Sequence, residues 1–174
     1  MTTSNETTLR KIERASSVLR AVTTAVHVPV VILGIVATVA ILSGSSAHIS
    51  YLGQDFVPSE LLLEPRLVLA VVVVATAFVM LKALRHLRQL AGNYMRREIF
   101  TADSARQIRQ FGLSCVLWGL IKLAWAFLPL LILAKHGPVY TAASDSILMG
   151  AVIIGISWFA EMAAALREEN DLTV

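Results

Sequence analysis

Four apolar stretches, 22–42, 66–84, 111–134 and 147–166, alternate with segments that carry nearly all of the charge. Each is about 18 to 24 residues long, which at about 1.5 Å per helical residue matches a hydrocarbon layer of about 30 Å. The expected fold class is therefore all-α: an integral membrane four-helix bundle in which residues 1–174 form a single membrane domain. Hydrophobic residues make up 56% of the chain and charged residues 16%, with a mean hydropathy of +0.71, more than a soluble domain of this length can hide. The first stretch follows a polar segment and is too long for a signal-peptide core, so it is expected to be retained as a helix.

The basic residues fall at one set of ends. Arg10, Lys11, Arg14 and Arg20 precede the first stretch, Lys82, Arg85, Arg88, Arg96, Arg97, Arg106 and Arg109 lie around the second connection, and Arg167 follows the fourth stretch. Of the 15 lysines and arginines, only Arg66, Lys122 and Lys135 lie elsewhere. The positive-inside rule then places both termini and the 82–110 connection in the cytoplasm of a membrane crossed several times. It also accounts for a pI of 9.4 without nucleic acid, and no direct nucleic-acid binding is expected.

Between the spans the residues predict further structure. Leu9, Ile12, Ser16 and Leu19 recur at helical spacing opposite Arg10, Lys11 and Arg14, so an N-terminal amphipathic helix should lead into the first span. Its apolar stripe has two possible beds, the inner headgroup layer or the cytoplasmic loop. Pro29 lies inside the first helix and leaves the carbonyl of Ala25 without its helical donor. The outer connection, 43–64, mixes Gly44, Gly53 and Pro58 with apolar patches and is expected to hold short ordered structure, while Pro65 suits the first turn of the second helix. Leu81, Leu84, Leu87 and Leu90 carry one apolar edge past the membrane; Gly92 and Asn93 offer a stop, and Thr101 or Asp103 can cap the returning helix. The result is a cytoplasmic helical hairpin over 82–110, read either as a basic anchor or as a docking surface.

The segment Ile99-Phe100-Thr101-Ala102-Asp103-Ser104-Ala105-Arg106-Gln107-Ile108-Arg109-Gln110-Phe111-Gly112 and the ending Leu166-Arg167-Glu168-Glu169-Asn170-Asp171-Leu172-Thr173-Val174 resemble the bacterial family catalogued as domain of unknown function 2975. In that family a Phe-Thr pair opens the third span, an Arg and a Gly follow, and an acidic tail closes the chain; Phe100, Thr101, Arg109, Gly112, Glu169 and Asp171 take those places here. Glu98 and Ser104 stand where the family has glycine and asparagine. The resemblance implies a small four-helix inner-membrane protein, often encoded beside a short helix-turn-helix regulator, and so supplies an architecture and a candidate partner but no reaction.

An intramembrane polar centre is the sharpest site expectation. By helical rise Lys122 falls about 16 Å into the third stretch and Glu161 about 8 Å into the fourth, and their side chains lean toward each other, with His27 at a depth like that of Glu161. Cys115, Trp118, Lys122, Trp125 and Pro129 share one helical face, so Trp118 and Trp125 are placed to stack on the lysine. Three readings stay open: a structural ion pair, a proton, ion or ligand path, and a lysine that snorkels alone. In the fourth stretch Trp158, Ala151 with Gly155, and Ala160 with Ala164 are assigned to close helix packing.

No zinc-binding His-Glu-x-x-His, glycine-rich phosphate loop or nucleophile elbow occurs, so catalysis is not expected and no catalytic residue or cofactor is assigned. The lone Cys115 excludes an internal disulfide, and His48 and His136, near Asp55 and Asp145, are taken as solvated rather than as metal ligands. The expected function is a regulatory or scaffold protein embedded in the lipid bilayer. It would bind a cytoplasmic protein such as a small helix-turn-helix regulator through Arg96, Arg97, Arg106 and Arg109 and the acidic Glu168, Glu169 and Asp171, and homo-oligomers are compatible with it. The alternative is a small oligomeric transporter or channel using the Lys122 and Glu161 centre.

Overall fold

The computed structural model describes residues 2–51, 54–96, 98, 101–132 and 141–172. Four long helices dominate: α1 (Thr2–Leu42), α2 (Leu63–Met95), α3 (Ala102–Ile132) and α4 (Thr141–Leu172). All four are long and apolar enough to cross a membrane. The helices also outrun a single span. The 41 residues of α1 correspond to about 60 Å of helix, twice the thickness of a hydrocarbon core.

The N-terminal amphipathic segment and the first span are one continuous helix, because neither Gly nor Pro interrupts the chain between them. Part of its stripe is packed against the protein: Ser16 is 4% exposed and Ile12 and Leu19 are half-buried. Threonines in this helix stay satisfied by bonding back to the preceding turn. Thr23 Oγ1 donates to the Leu19 carbonyl at 2.9 Å and Thr38 Oγ1 to the Gly34 carbonyl at 2.7 Å. α1 ends on Gly44 at φ 66°: the Ser45 N–H reaches the Ala40 carbonyl and the Gly44 N–H the Ile41 carbonyl, the Schellman arrangement that favours glycine.

The first connection is ordered, as the sequence suggests. Strands β1 (Ile49–Tyr51) and β2 (Gln54–Phe56) pair antiparallel, with Ser50 opposite Asp55, and a short 3₁₀ turn covers Pro58–Glu60. This hairpin folds onto the helices. Ile49, Tyr51 and Phe56 pack on a core of Ile41, Leu69, Ala70, Val73 and Trp125. The Tyr51 hydroxyl shares a hydrogen bond with Thr76 on α2, its ring meets Trp125 edge-on at 5.4 Å, and burial pushes its pKa above the ordinary tyrosine value. Arg66, one of the three basic residues that lie away from the clusters, staples the connection by donating to the carbonyls of Leu61 and Ser59.

α2 runs past the expected stop at Gly92 and Asn93 as far as Met95. Asn93 is 5% exposed, and its side chain is spent on Asp103 and Ser104 across the turn instead of on ending its own helix. Thr101, not Asp103, caps α3: its Oγ1 accepts the Ser104 N–H at 3.3 Å. Side-chain bonds thus tie the end of α2 to the start of α3.

Extensive packing joins α1 to α2, α2 to α3 and α3 to α4, so the helices stand in a row in chain order. The α3/α4 seam is the tightest. A Cβ on Gly150 would lie 2.8 Å from the Gly112 carbonyl and 2.6 Å from Val116 Cγ2, and one on Gly119 would lie 3.1 Å from the Ala143 carbonyl. The close packing assigned to Ala151, Gly155 and Trp158 moves accordingly. Ala151 is exposed, Trp158 is 59% exposed and nothing approaches a Cβ on Gly155 within 4 Å, whereas Ala164 is buried at 5%. Gly150 faces the partner helix because it is one helical turn from Ile147 and Ile153, which flank the same seam. Gly150→Leu is therefore expected to lower stability in detergent by about 1–3 kcal/mol or more through overpacking, while Gly155→Leu stays near the parent value. Thermal unfolding of the two variants side by side checks this.

Candidate functional site

At the end that carries the α2–α3 turn, α1, α2 and α3 leave an open cleft of about 860 Å³ between them. Its cationic lining comes from Lys82, Arg85 and Arg88 on α2 and Arg106 on α3, with His27 of α1 and His86 of α2 beside them, and no acidic residue lines it. A second cleft of about 700 Å³ continues it toward the turn, sharing Arg85, Arg88, Gln89 and Gln107 and adding Arg20, Arg96 and Asp103. The two make one trench with cations on three helices.

Local bonding explains why the trench holds its charge open. Asp103, its one lining carboxylate, already accepts from Asn93 Nδ2 at 2.7 Å and Gln107 Nε2 at 3.5 Å. His86 Nδ1 bonds Gln107 Oε1 at 2.8 Å, which ties α2 to α3 along the floor. Ser104, 1% exposed, donates to the Glu98 carbonyl at 2.7 Å and holds the turn shut. Among the described residues no carboxylate pairs with Lys82, Arg85, Arg88, Arg96 or Arg106, all of them exposed. Such a surface attracts and orients an anion without a competing internal partner.

The residues expected to bind a partner divide. Arg96 and Arg106 line the trench; Arg109 is exposed on α3 outside its lining. Arg97 lies outside the described residues, as do the side chains of Glu168 and Asp171. The acidic ending is not a hanging peptide, since α4 continues to Leu172, and the exposed Glu169 belongs to its last turns. Lys82, Arg85 and Arg88, which belong to the expected hairpin but not to the expected partner-binding set, line the cleft, as do His86 and Gln107. The spacing of 82, 85 and 89, at i, i+3 and i+7, was the available signal of one shared face.

The intramembrane trio is not assembled. Lys122 Nζ donates to Ser146 Oγ at 3.0 Å and sits 5.3 Å over the Trp118 ring. Glu161 is exposed and lies 15 positions beyond Ser146 in the same helix, about 22 Å along its axis by helical rise. His27 is exposed at the basic cleft. Counting depth from the apolar boundaries failed because the glycine seam, not the apolar boundary, sets the register of α3 against α4. Trp125 points to the hairpin instead of the lysine, with Tyr51 and Phe56 against its ring; its buried indole N–H finds no partner among the described residues. Cys115 is half-buried, and the side chain of Pro129 and all of His136 lie outside the described residues. No three His, Cys, Asp or Glu side chains gather as a metal site among the described residues.

No family model, curated protein or solved structure matches the chain. The geometry itself yields a test. A double-mutant cycle between Lys122 and Glu161 should be additive within about 0.5 kcal/mol, as distant sites are, whereas one between Lys122 and Ser146 should show a larger coupling.

Proposed function

We propose that this chain is a multi-pass membrane protein of regulatory or scaffolding role, without catalysis, whose basic end faces the cytoplasm and holds an acidic segment of a cytoplasmic protein. The observation that carries this reading is the trench. Arg20, Arg85, Arg88, Arg96 and Arg106 line it from three different helices, and internal bonding has already occupied Asp103. Scattered charges that only set orientation need no shared concave surface. The small helix-turn-helix regulator implied by the family resemblance is the candidate partner, bound through its own acidic residues and not through nucleic acid. A transport reading would need the Lys122 and Glu161 centre and is not carried forward.

Orientation is tested first. In a Cys115→Ala background, Ser46→Cys should react with an impermeant thiol reagent on intact cells, and Ala102→Cys, on an exposed residue beside the turn, only after permeabilisation.

Charge reversal then tests the surface. Arg88→Glu, Arg96→Glu and Arg106→Glu together should lower crosslinking to the partner in cells by about tenfold or more, equivalent to about 1.4 kcal/mol. Membrane insertion should be retained, since Lys82, Arg85 and Arg109 remain. Unchanged crosslinking would refute the trench as the docking surface, and the absence of any crosslinked cytoplasmic protein in the parent would refute the scaffold role.

A further inference from the structure

The trench does not end in water. Phe78 and Leu81, which line its inner wall, also line an apolar groove of about 380 Å³ between α1 and α2. Val31, Ile35 and Val39 form one side of this groove and Val74 part of the other. From Val31 to Val39 it follows about 12 Å of helix. Its floor is the point where α1 touches α2, because a Cβ on Gly34 would stand 3.1 Å from that of Ala77. The only hydroxyl in the lining, on Thr38, is turned back to the Gly34 carbonyl, so the groove offers hydrocarbon contacts alone.

We propose that this continuous surface is a binding site for one anionic phospholipid. The phosphate sits among His27, Lys82, Arg85 and Arg106, and one acyl chain lies along the α1/α2 groove. Two independent features meet here. The cations select negative charge, and the groove opens from their inner wall along α1 and α2, both long and apolar enough to cross a membrane. An acidic protein segment arriving from water would leave the groove empty, and a free phosphate ion would not touch it. A zwitterionic lipid would fill the groove but leave the excess positive charge unmatched. The inference rests on the helices being membrane spans and needs no protein partner; Arg85 and Arg106 belong also to the proposed docking surface, so lipid and acidic segment would compete there.

Native mass spectrometry of the full chain in neutral detergent, supplied with equimolar phosphatidylglycerol and phosphatidylcholine, tests it. Phosphatidylglycerol adducts should exceed phosphatidylcholine adducts by about tenfold or more. Each cation removed should reduce that preference about fivefold, from roughly 1 kcal/mol per basic residue near anionic lipid. Two such losses already exceed a tenfold preference, so Lys82→Gln, Arg85→Gln and Arg106→Gln combined should abolish it. If the triple variant fails to fold, Lys82→Gln and Arg106→Gln singly, on exposed residues of different helices, read the same effect. Val74→Trp, on a residue 52% exposed, should fill the groove and remove the adduct without altering charge. Arg10→Gln, Lys11→Gln and Arg14→Gln, outside the cleft, should leave the preference unchanged.

Equal retention of the two lipids by the parent would overturn the proposal. So would loss of preference in the N-terminal control, which would indicate diffuse surface charge. Displacement by inorganic phosphate with no effect of Val74→Trp would make the site one for free phosphate and overturn it as well. A chain that stays soluble and monomeric without detergent would instead refute the membrane reading beneath it, an outcome seen before any lipid is added.

Discussion

Everything at the basic end depends on how α2 and α3 are held together at the turn that joins them. Two helices that leave a bilayer side by side lose the lipid that confined them and gain water that competes for every hydrogen bond. Here the gap is closed by partly buried polar contacts. Asn93 reaches Asp103 and Ser104, Ser104 reaches the Glu98 carbonyl, Thr101 caps α3, and His86 bonds Gln107 further down. Each net contribution is modest, about 0.5–1.5 kcal/mol for a typical hydrogen bond, yet they share residues and so act as a unit. Lys82 and Arg85 on one helix then stand at a fixed distance from Arg106 on the other. Without that registration the same charges would be an ordinary inward cluster.

The spans were legible because length and composition alone decide them, and the bilayer asks little more of a helix. The turn was legible in kind, since Thr101 sits where a capping residue is needed. Its end was misplaced, because Asn93 is a good helix stop only when its side chain is free to serve its own backbone. Register inside the membrane was illegible for a different reason. Where nearly every residue is apolar, hydropathy carries little phase, and the facing surfaces are chosen by small residues that let backbones approach. Gly150 and Gly155 look alike in sequence; only one faces a neighbour. The depth of Lys122 followed from that seam, and Ser146 rather than Glu161 came within reach.

The β-hairpin shows the same limit in another way. That the 43–64 connection would be ordered could be read from its length and apolar patches, but not that Tyr51 would pass its ring to Trp125 and its hydroxyl to Thr76. A tyrosine in a loop is usually a surface residue; this one is held because three helices leave an aromatic-sized space and one of them supplies a hydroxyl in it. The sequence reading gave Trp125 to the lysine because it considered helices alone as possible neighbours.

The serial order of the helices has a mechanical meaning. A ring of four helices would give every member two neighbours, whereas in a row the outer pair have one main neighbour each. Removing α2 or α3 breaks two interfaces; removing α1 or α4 breaks one. The structure therefore has weak ends and a strong middle, like a chain of tiles fixed edge to edge. Local opening costs least where the fewest contacts are lost, and on the α1 side that hinge line runs along Gly34 and Ala77.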